Sequence, residues 1–165
     1  MDRQYTRIDS VRELLDHDLK EIPDEEQKRC AYVHLYGVGL AAAFLALKRG
    51  YDRTMAELAE VAGMLHDYAT YVKNEEENHA EKSAVCAKAI LERIDGFSEE
   101  DITLVTEAIF YHSRKKEIGA PFIELLKDAD ELQHFFRNPT EEYFLTKERT
   151  QKLCKEFDIT INQDK

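Results

Sequence analysis

The sequence predicts an all-α fold, a single helical bundle of about six or seven helices. Three observations carry that reading. The six glycines and three prolines sit between periodic runs of apolar residues. No alternation of apolar and polar residues, the mark of a half-buried strand, lasts more than a few positions. Helix-start signals of the type Ser-x-x-Asp recur ahead of the apolar runs.

The elements follow in order. A first helix covers about residues 10–19. Pro23 and Asp24 open a long second helix with Val33, Leu40, Phe44 and Leu47 among its apolar positions, stopped by Gly50. Thr54 and Glu57 read as a capping box for a third helix, which carries Leu58, Ala62 and Leu65 and ends near His66 and Asp67. An acidic loop at 73–78 leads to a fourth helix at about 79–94, which stops before Gly96. Ser98 and Asp101 cap a fifth helix that lines up Ile102, Val105, Ile109 and His112. Gly119 and Pro121 restart the chain for a sixth, with Leu125, Leu126, Ala129, Leu132 and Phe136 as its apolar face and Asn138–Pro139 as its break. A last amphipathic helix at about 141–157 closes the domain, and the tail from 158 is expected to be loose. Without repeat, low-complexity tract or linker, residues 1–165 read as one domain with its core at about 23–136.

Composition narrows the function. Of 165 residues, 43% are apolar, enough for one core, and 35% are charged, which argues against disorder. The net charge of −11 argues against a nucleic-acid backbone as main partner, because phosphate tracking needs a basic footprint. A small phosphorylated ligand needs only a few local cations and stays open. The opening MDRQYTRIDS has no apolar signal core, and no later apolar run reads as a membrane span. The expectation is a cytoplasmic protein with no membrane partner, and a homodimer is left open. Cys30, Cys86 and Cys154, odd in number and without C-x-x-C spacing, read as buried reduced thiols.

The chemistry concentrates in histidines and aspartates. Histidines stand at 17, 34, 66, 79, 112 and 134, and four of them (His34, His66, His79 and His112) fall on or beside apolar helix faces. One such residue is commonly a hydrogen-bonded core histidine. Four converging imidazoles are costly to bury unless a metal ion shares their lone pairs. Asp67, beside His66 at a helix C-terminus, also calls for a neutralising cation. Asp128 and Asp130 lie in the apolar run LLKDADEL. Two positions on a helix are about 200° apart, so both cannot face one ion, and either could be the ligand.

This ordered set, His34, then LHD at 65–67, then an Ala-Asp pair late in the chain, resembles the HD phosphohydrolase superfamily with its pattern H…HD…D. The stretches LHDYATY, NHAEKSA, FYHS and DADEL resemble in particular the HD-type symmetrical diadenosine tetraphosphate hydrolases. The resemblance implies that His34, His66, Asp67 and an aspartate bind a first metal. It further implies that Asp67 bridges to a second metal completed by His79 and His112. The Ala-Asp pattern points to Asp130 as the late ligand, with Asp128 as the alternative. One or two divalent ions, iron or manganese, are implied, and Asp67 would also serve catalysis.

Arg114, Lys115 and Lys116 follow His112 after one serine and could reach a phosphate, and Lys82 lies one turn from His79. Solvated surface is the competing reading for all four. His17 reads as exposed, His134 as a surface or interface residue, and the run at 75–77 as a solvated loop. Tyr36, Tyr68 and Tyr71 read as packing, with base stacking as the alternative. Three functions follow. The first is a phosphohydrolase acting on a nucleotide, a dinucleoside polyphosphate or another small phosphate. The second is a mixed-valence di-iron oxygenase, and the third a nucleotide-binding module without catalysis.

Overall fold

The computed structural model describes residues 5–160 and, among these, only helices: α1 Arg7–Lys20, α2 Glu25–Lys48, α3 Arg53–Leu65, α4 Tyr68–Lys73, α5 His79–Leu91, α6 Glu99–Tyr111, α7 Pro121–Arg137, α8 Glu142–Thr146 and α9 Glu148–Glu156. The all-α expectation holds. The central helix is α2, which packs most extensively on α3 and α7, while α5 and α6 form a second tight pair. Residues 161–165 of the tail expected to be loose lie outside the described residues.

Caps set most boundaries. Asp24 accepts the Gln27 N–H at the start of α2, and Ser98 with Asp101 forms the expected box on α6. The box expected from Thr54 and Glu57 does not form. Asp52 caps α3 through the Met55 N–H, and Glu57 pairs with Arg7 instead, because α1 brings that guanidinium across. The last helix is broken in two at Lys147, whose extended backbone (ψ 130°) separates α8 from α9. The sequence also did not reveal α4, a short helix directly after the His-Asp pair.

Two helices approach unusually closely. A Cβ placed on Gly63 of α3 would lie 2.6 Å from the backbone of Gly39 on α2. Glycine at both positions lets the two backbones touch, so Gly39 and Gly63, like Gly37, lie inside helices and not, as expected, between them.

The apolar positions expected on α2 are corrected. Val33, Leu40, Phe44 and Leu47 are exposed, and the buried face is Ala31, His34, Leu35, Val38, Ala42, Leu45 and Ala46. From Cys30 to Leu47 the helix has no Asp, Glu, Lys or Arg, so periodicity could not tell its two faces apart. Contrary to expectation, α2 is long and apolar enough to cross a membrane by length and composition alone. In this fold it is the helix around which the core is built. Phe136, expected on the inner face of α7, is also exposed. Of the three cysteines expected to be buried, only Cys154 is; Cys30 and Cys86 are half-buried, and all three are free thiols.

Candidate metal centre

The candidate site lies where helix ends converge on the middles of α2 and α7. His34 comes from the middle of α2 and Asp130 from α7. His66 is the C-cap of α3, Asp67 the N-cap of α4, His79 the first residue of α5, and His112 the C-cap of α6. Helix termini leave backbone groups unpaired, and the histidines use them. His66 Nδ1 donates to the Gly63 carbonyl at 2.7 Å, His112 Nδ1 to the Ile109 carbonyl at 2.7 Å, and His79 Nδ1 to the Glu76 carbonyl at 3.2 Å. His34, inside its helix, donates from Nδ1 to Gln133 Oε1 at 2.8 Å, and Gln133 Nε2 donates to the Val33 carbonyl, which fixes the amide's orientation.

Every one of these bonds places a proton on Nδ1, so in the neutral imidazole Nε2 is the bare nitrogen. The bare nitrogens then point inward. His34 Nε2 and His66 Nε2 are 3.2 Å apart, so with both rings neutral two lone pairs face each other inside the protein. Asp67 Oδ2 lies 3.5 Å from the first and 3.4 Å from the second. Asp67 Oδ1 faces the other pair, 3.5 Å from His79 Nε2 and 3.3 Å from His112 Nε2. Asp130 Oδ1 lies 3.7 Å from His34 Nε2 and 3.8 Å from His66 Nε2.

This donor set fits a metal. Asp67 Oδ1 and Asp130 Oδ1 are buried without a hydrogen-bond partner, and such an orphaned carboxylate oxygen is expensive unless a cation meets it. Facing imidazole lone pairs carry the same cost. His34, His66 and Asp67 form one group of ligand atoms close enough to hold an ion, and Asp67, His79 and His112 form another.

Electrostatics agree with a cluster poised between charge states. Burial pushes His66 down to about 4, so its imidazole is neutral. Burial also works against charge on His34, but Asp67, Asp130 and Gln133 outweigh it and raise its pKa. Burial would raise the Asp67 carboxyl, yet His66, His112 and His34 hold it well below the ordinary range. Asp130 is likewise held well down against burial, first by Lys115 and then by His134, His66 and His34.

The remaining residues singled out from the sequence fall as follows. Asp128 points away from the cluster and pairs with Arg49 and Arg149. Lys115 Nζ donates to Asp130 Oδ2 at 2.5 Å and so borders the site. Arg114 is partly exposed, lies over the Phe110 and Tyr111 rings and reaches toward Glu81 at 3.7 Å. Lys82 pairs with Glu75 at 2.7 Å on the surface. Lys116 lines a cavity of about 750 Å3 with Arg49, Arg149 and Lys152. Glu124, Asp128 and Glu156 pair that cavity's arginines, so it is an ion-pair network beside the centre rather than an open anion site. His17 is exposed beside Asp18. Tyr36 and Tyr68 donate their hydroxyls to Asp16 and Asp18, while Tyr71 packs its ring 5.7 Å from that of His34. Burial, helped by Asp67, pushes the Tyr71 phenol up to about 12.

Sequence reasoning passed over two residues. His134, read as surface, sets Nε2 3.3 Å from Asp130 Oδ1 and its ring 4.9 Å from that of His34, forming a third group with both. Its position one turn after Asp130 was the available signal. Gln133 orients His34 across 99 positions of sequence, and no local pattern announces that.

The family model for the HD domain matches residues 31–154, most of the chain. No curated protein and no solved structure matches it. With an all-helical fold and a His/Asp cluster able to hold metal, the chain belongs to the HD domain family, whose members are in general metal-dependent phosphohydrolases.

Proposed function

We propose that this protein is a phosphohydrolase with two divalent ions, iron or manganese, acting on a phosphate ester or anhydride of a small molecule. A nucleotide or a dinucleoside polyphosphate is the preferred substrate. The observation that carries the reading is the division of Asp67, with one oxygen toward His34 and His66 and the other toward His79 and His112. A carboxylate so placed is suited to bridging two ions. His34, His66, Asp67 and Asp130 would hold the first, and Asp67, His79 and His112 the second. When bound, the ions lower the pKa of a water toward neutrality and polarise a phosphoryl oxygen.

The chain's own groups supply the rest. The carbonyl and amide partners of the four Nδ1 atoms lock each ring in the ligating tautomer. With both oxygens turned to imidazole pairs, Asp67 would help hold the ions and could orient the attacking water. Lys115, tied to Asp130, stands nearest for a phosphate oxygen, and Arg114 on its aromatic ledge is the next cation outward. Lys82, already paired with Glu75, is the weakest of the three. The acidic surface disfavours long polyanions and leaves a compact anion drawn by these local charges.

The test is anaerobic assay with iron or manganese against nucleoside mono-, di- and triphosphates, diadenosine tetraphosphate and sugar phosphates, with metal content measured on the same samples. Phosphate release from a subset is expected. No release from fully loaded protein, together with oxygen uptake on an alcohol or phosphonate, would replace the reading by that of a di-iron oxygenase.

A further inference from the structure

His134 is the histidine beside the centre to which the two ligand groups built on Asp67 give no task. It stands one turn after Asp130 on α7, and residues at i and i+4 share a helix face and can offer donors to one ion. Its Nε2 lies 3.3 Å from Asp130 Oδ1, the same oxygen that faces His34 Nε2 at 3.7 Å and His66 Nε2 at 3.8 Å. That oxygen has no hydrogen-bond partner, so imidazole and carboxylate are close without a hydrogen bond's alignment. The ligand atoms of His34, Asp130 and His134 lie within 4.8 Å of one another, a spread that suits donors around an ion. The His134 ring lies 4.9 Å from that of His34, and Phe144 of α8 stacks nearly parallel to it at 6.1 Å.

We propose that His134 is a further protein donor to the first ion, beside His34, His66, Asp67 and Asp130. This rests on the two-ion reading above. A separate third ion is the poorer alternative, because His34 would have to serve two ions. Its Nδ1 proton goes to Gln133, so Nε2 alone has a lone pair to give, and one lone pair binds one ion. The consequence is an uneven pair of sites. The first ion is surrounded by His34, His66, His134, Asp67 and Asp130, the second only by Asp67, His79 and His112. A catalytic ion keeps positions open, so the places for a water and a phosphate oxygen fall chiefly on the second. His134 is also the loosest donor of its set. Its side chain is 44% exposed, and among the described residues its Nδ1 has no protein acceptor, unlike the Nδ1 atoms of the other four rings. Stacking on Phe144 orients it instead.

Heteronuclear NMR on the full chain tests this, with nitrogen-15 in the histidine rings and cadmium-113 as the ion. Cadmium is diamagnetic, accepts up to six donors, and shows a scalar coupling to each nitrogen bound to it. His134→Gln assigns the His134 signal by its loss. His134 Nε2 is expected to couple to the same cadmium as His34 and His66, with His79 and His112 coupled to the other. The substitution should also weaken the ion shared by His34 and His66 by about tenfold, a modest loss because water can take the vacated place. The ion held by His79 and His112 should be unaffected. A protonated, uncoupled His134 Nε2 beside four coupled rings would overturn the proposal and leave the two-ion reading standing, with His134 as a hydrogen-bond donor to Asp130. Coupling of His134 to a cadmium of its own would overturn it in favour of a third ion. So would an unchanged affinity in His134→Gln. Cadmium coupled to none of the rings would remove the metal centre itself.

Discussion

Two aspartates of α7 stand two residues apart in opposite circumstances. Asp128 has both oxygens taken, one by Arg49 at 2.7 Å and the other by Arg149. Asp130 receives Lys115 on Oδ2, while Oδ1 has no hydrogen-bond partner and faces the His34, His66 and His134 imidazoles. Both are buried, and the sequence presents them as near equals. The helix separates them by about 200°, sending one to the α2–α9 edge and the other to the histidines. A buried carboxylate with all its partners is a clamp. A buried carboxylate with an open oxygen carries a penalty of about 1–3 kcal/mol or more, and a ligand that meets it removes the penalty. The completeness of the pairing, rather than the residue type, separates structure from function along this helix.

The largest effect expected is the one that divides the pair. Asp130→Asn should weaken metal binding by more than about 100-fold and remove activity while the fold persists, because a lost ligand exceeds the ~10–100-fold typical of a lost supporting contact. Asp128→Asn should keep metal and activity but lower stability by about 1–3 kcal/mol, since Arg49 and Arg149 retain Glu156 and Glu124 as partners. Elemental analysis and urea unfolding of both proteins read the difference. The reverse pattern would make Asp128 the ligand and dissolve the comparison.

The next test moves to the other open oxygen. His79→Ala and His112→Ala each remove a partner of Asp67 Oδ1 and should lower the stoichiometry from about two ions to about one. Stoichiometry unchanged in both variants would show that these imidazoles do not share an ion. A smaller loss is expected from Gln133→Leu, which leaves every ligand in place but frees His34 to turn, at about tenfold in affinity. An affinity equal to wild type would reduce Gln133 to a packing residue.

How far the site was legible follows from the same physics. His34, His66, Asp67, His79 and His112 were suggested by their placement on or beside apolar runs, and the fold draws them together. The helices themselves were legible wherever one face is polar, as on α6 with its Ser98 cap. On α2 the pattern failed because both faces are apolar, so Val33, Leu40, Phe44 and Leu47 read as core. The α4 helix escaped notice because Asp67, which begins it, does not cap it. Its side chain is turned to the histidines, and Ser83 of α5 accepts the Ala69 N–H in its stead, a long-range substitute that spacing cannot show. His134 was read as a surface or interface residue, and its place beside the site escaped notice for a similar reason. Its imidazole is partly exposed, yet Asp130 one turn earlier aims at it.

The smallest effect concerns the clamp side alone, and its sign is fixed by the direction of the shift. Burial would raise the Glu124 carboxyl, but Lys127 and Arg149, with the Gly119 N–H, outweigh it and bring it down to about 2 from an ordinary 4.5. A carboxylate depressed in the fold contributes stability that is fully present above about pH 4.5. That contribution is lost as pH falls toward about 2, because the unfolded chain takes up the proton first. Glu124→Gln cannot titrate, so the variant should be less stable than wild type at neutral pH, and the gap should narrow steadily below pH 4.5. Urea midpoints taken in steps from pH 7 downward measure it. The metal centre lies on the other side of α7, so ion content at pH 7 should match wild type. A gap that stays constant across the acid range would mean that Glu124 acts through packing and not through its charge. A loss of metal in the same variant would mean that the two sides of the helix are coupled and not, as their pairing suggests, independent.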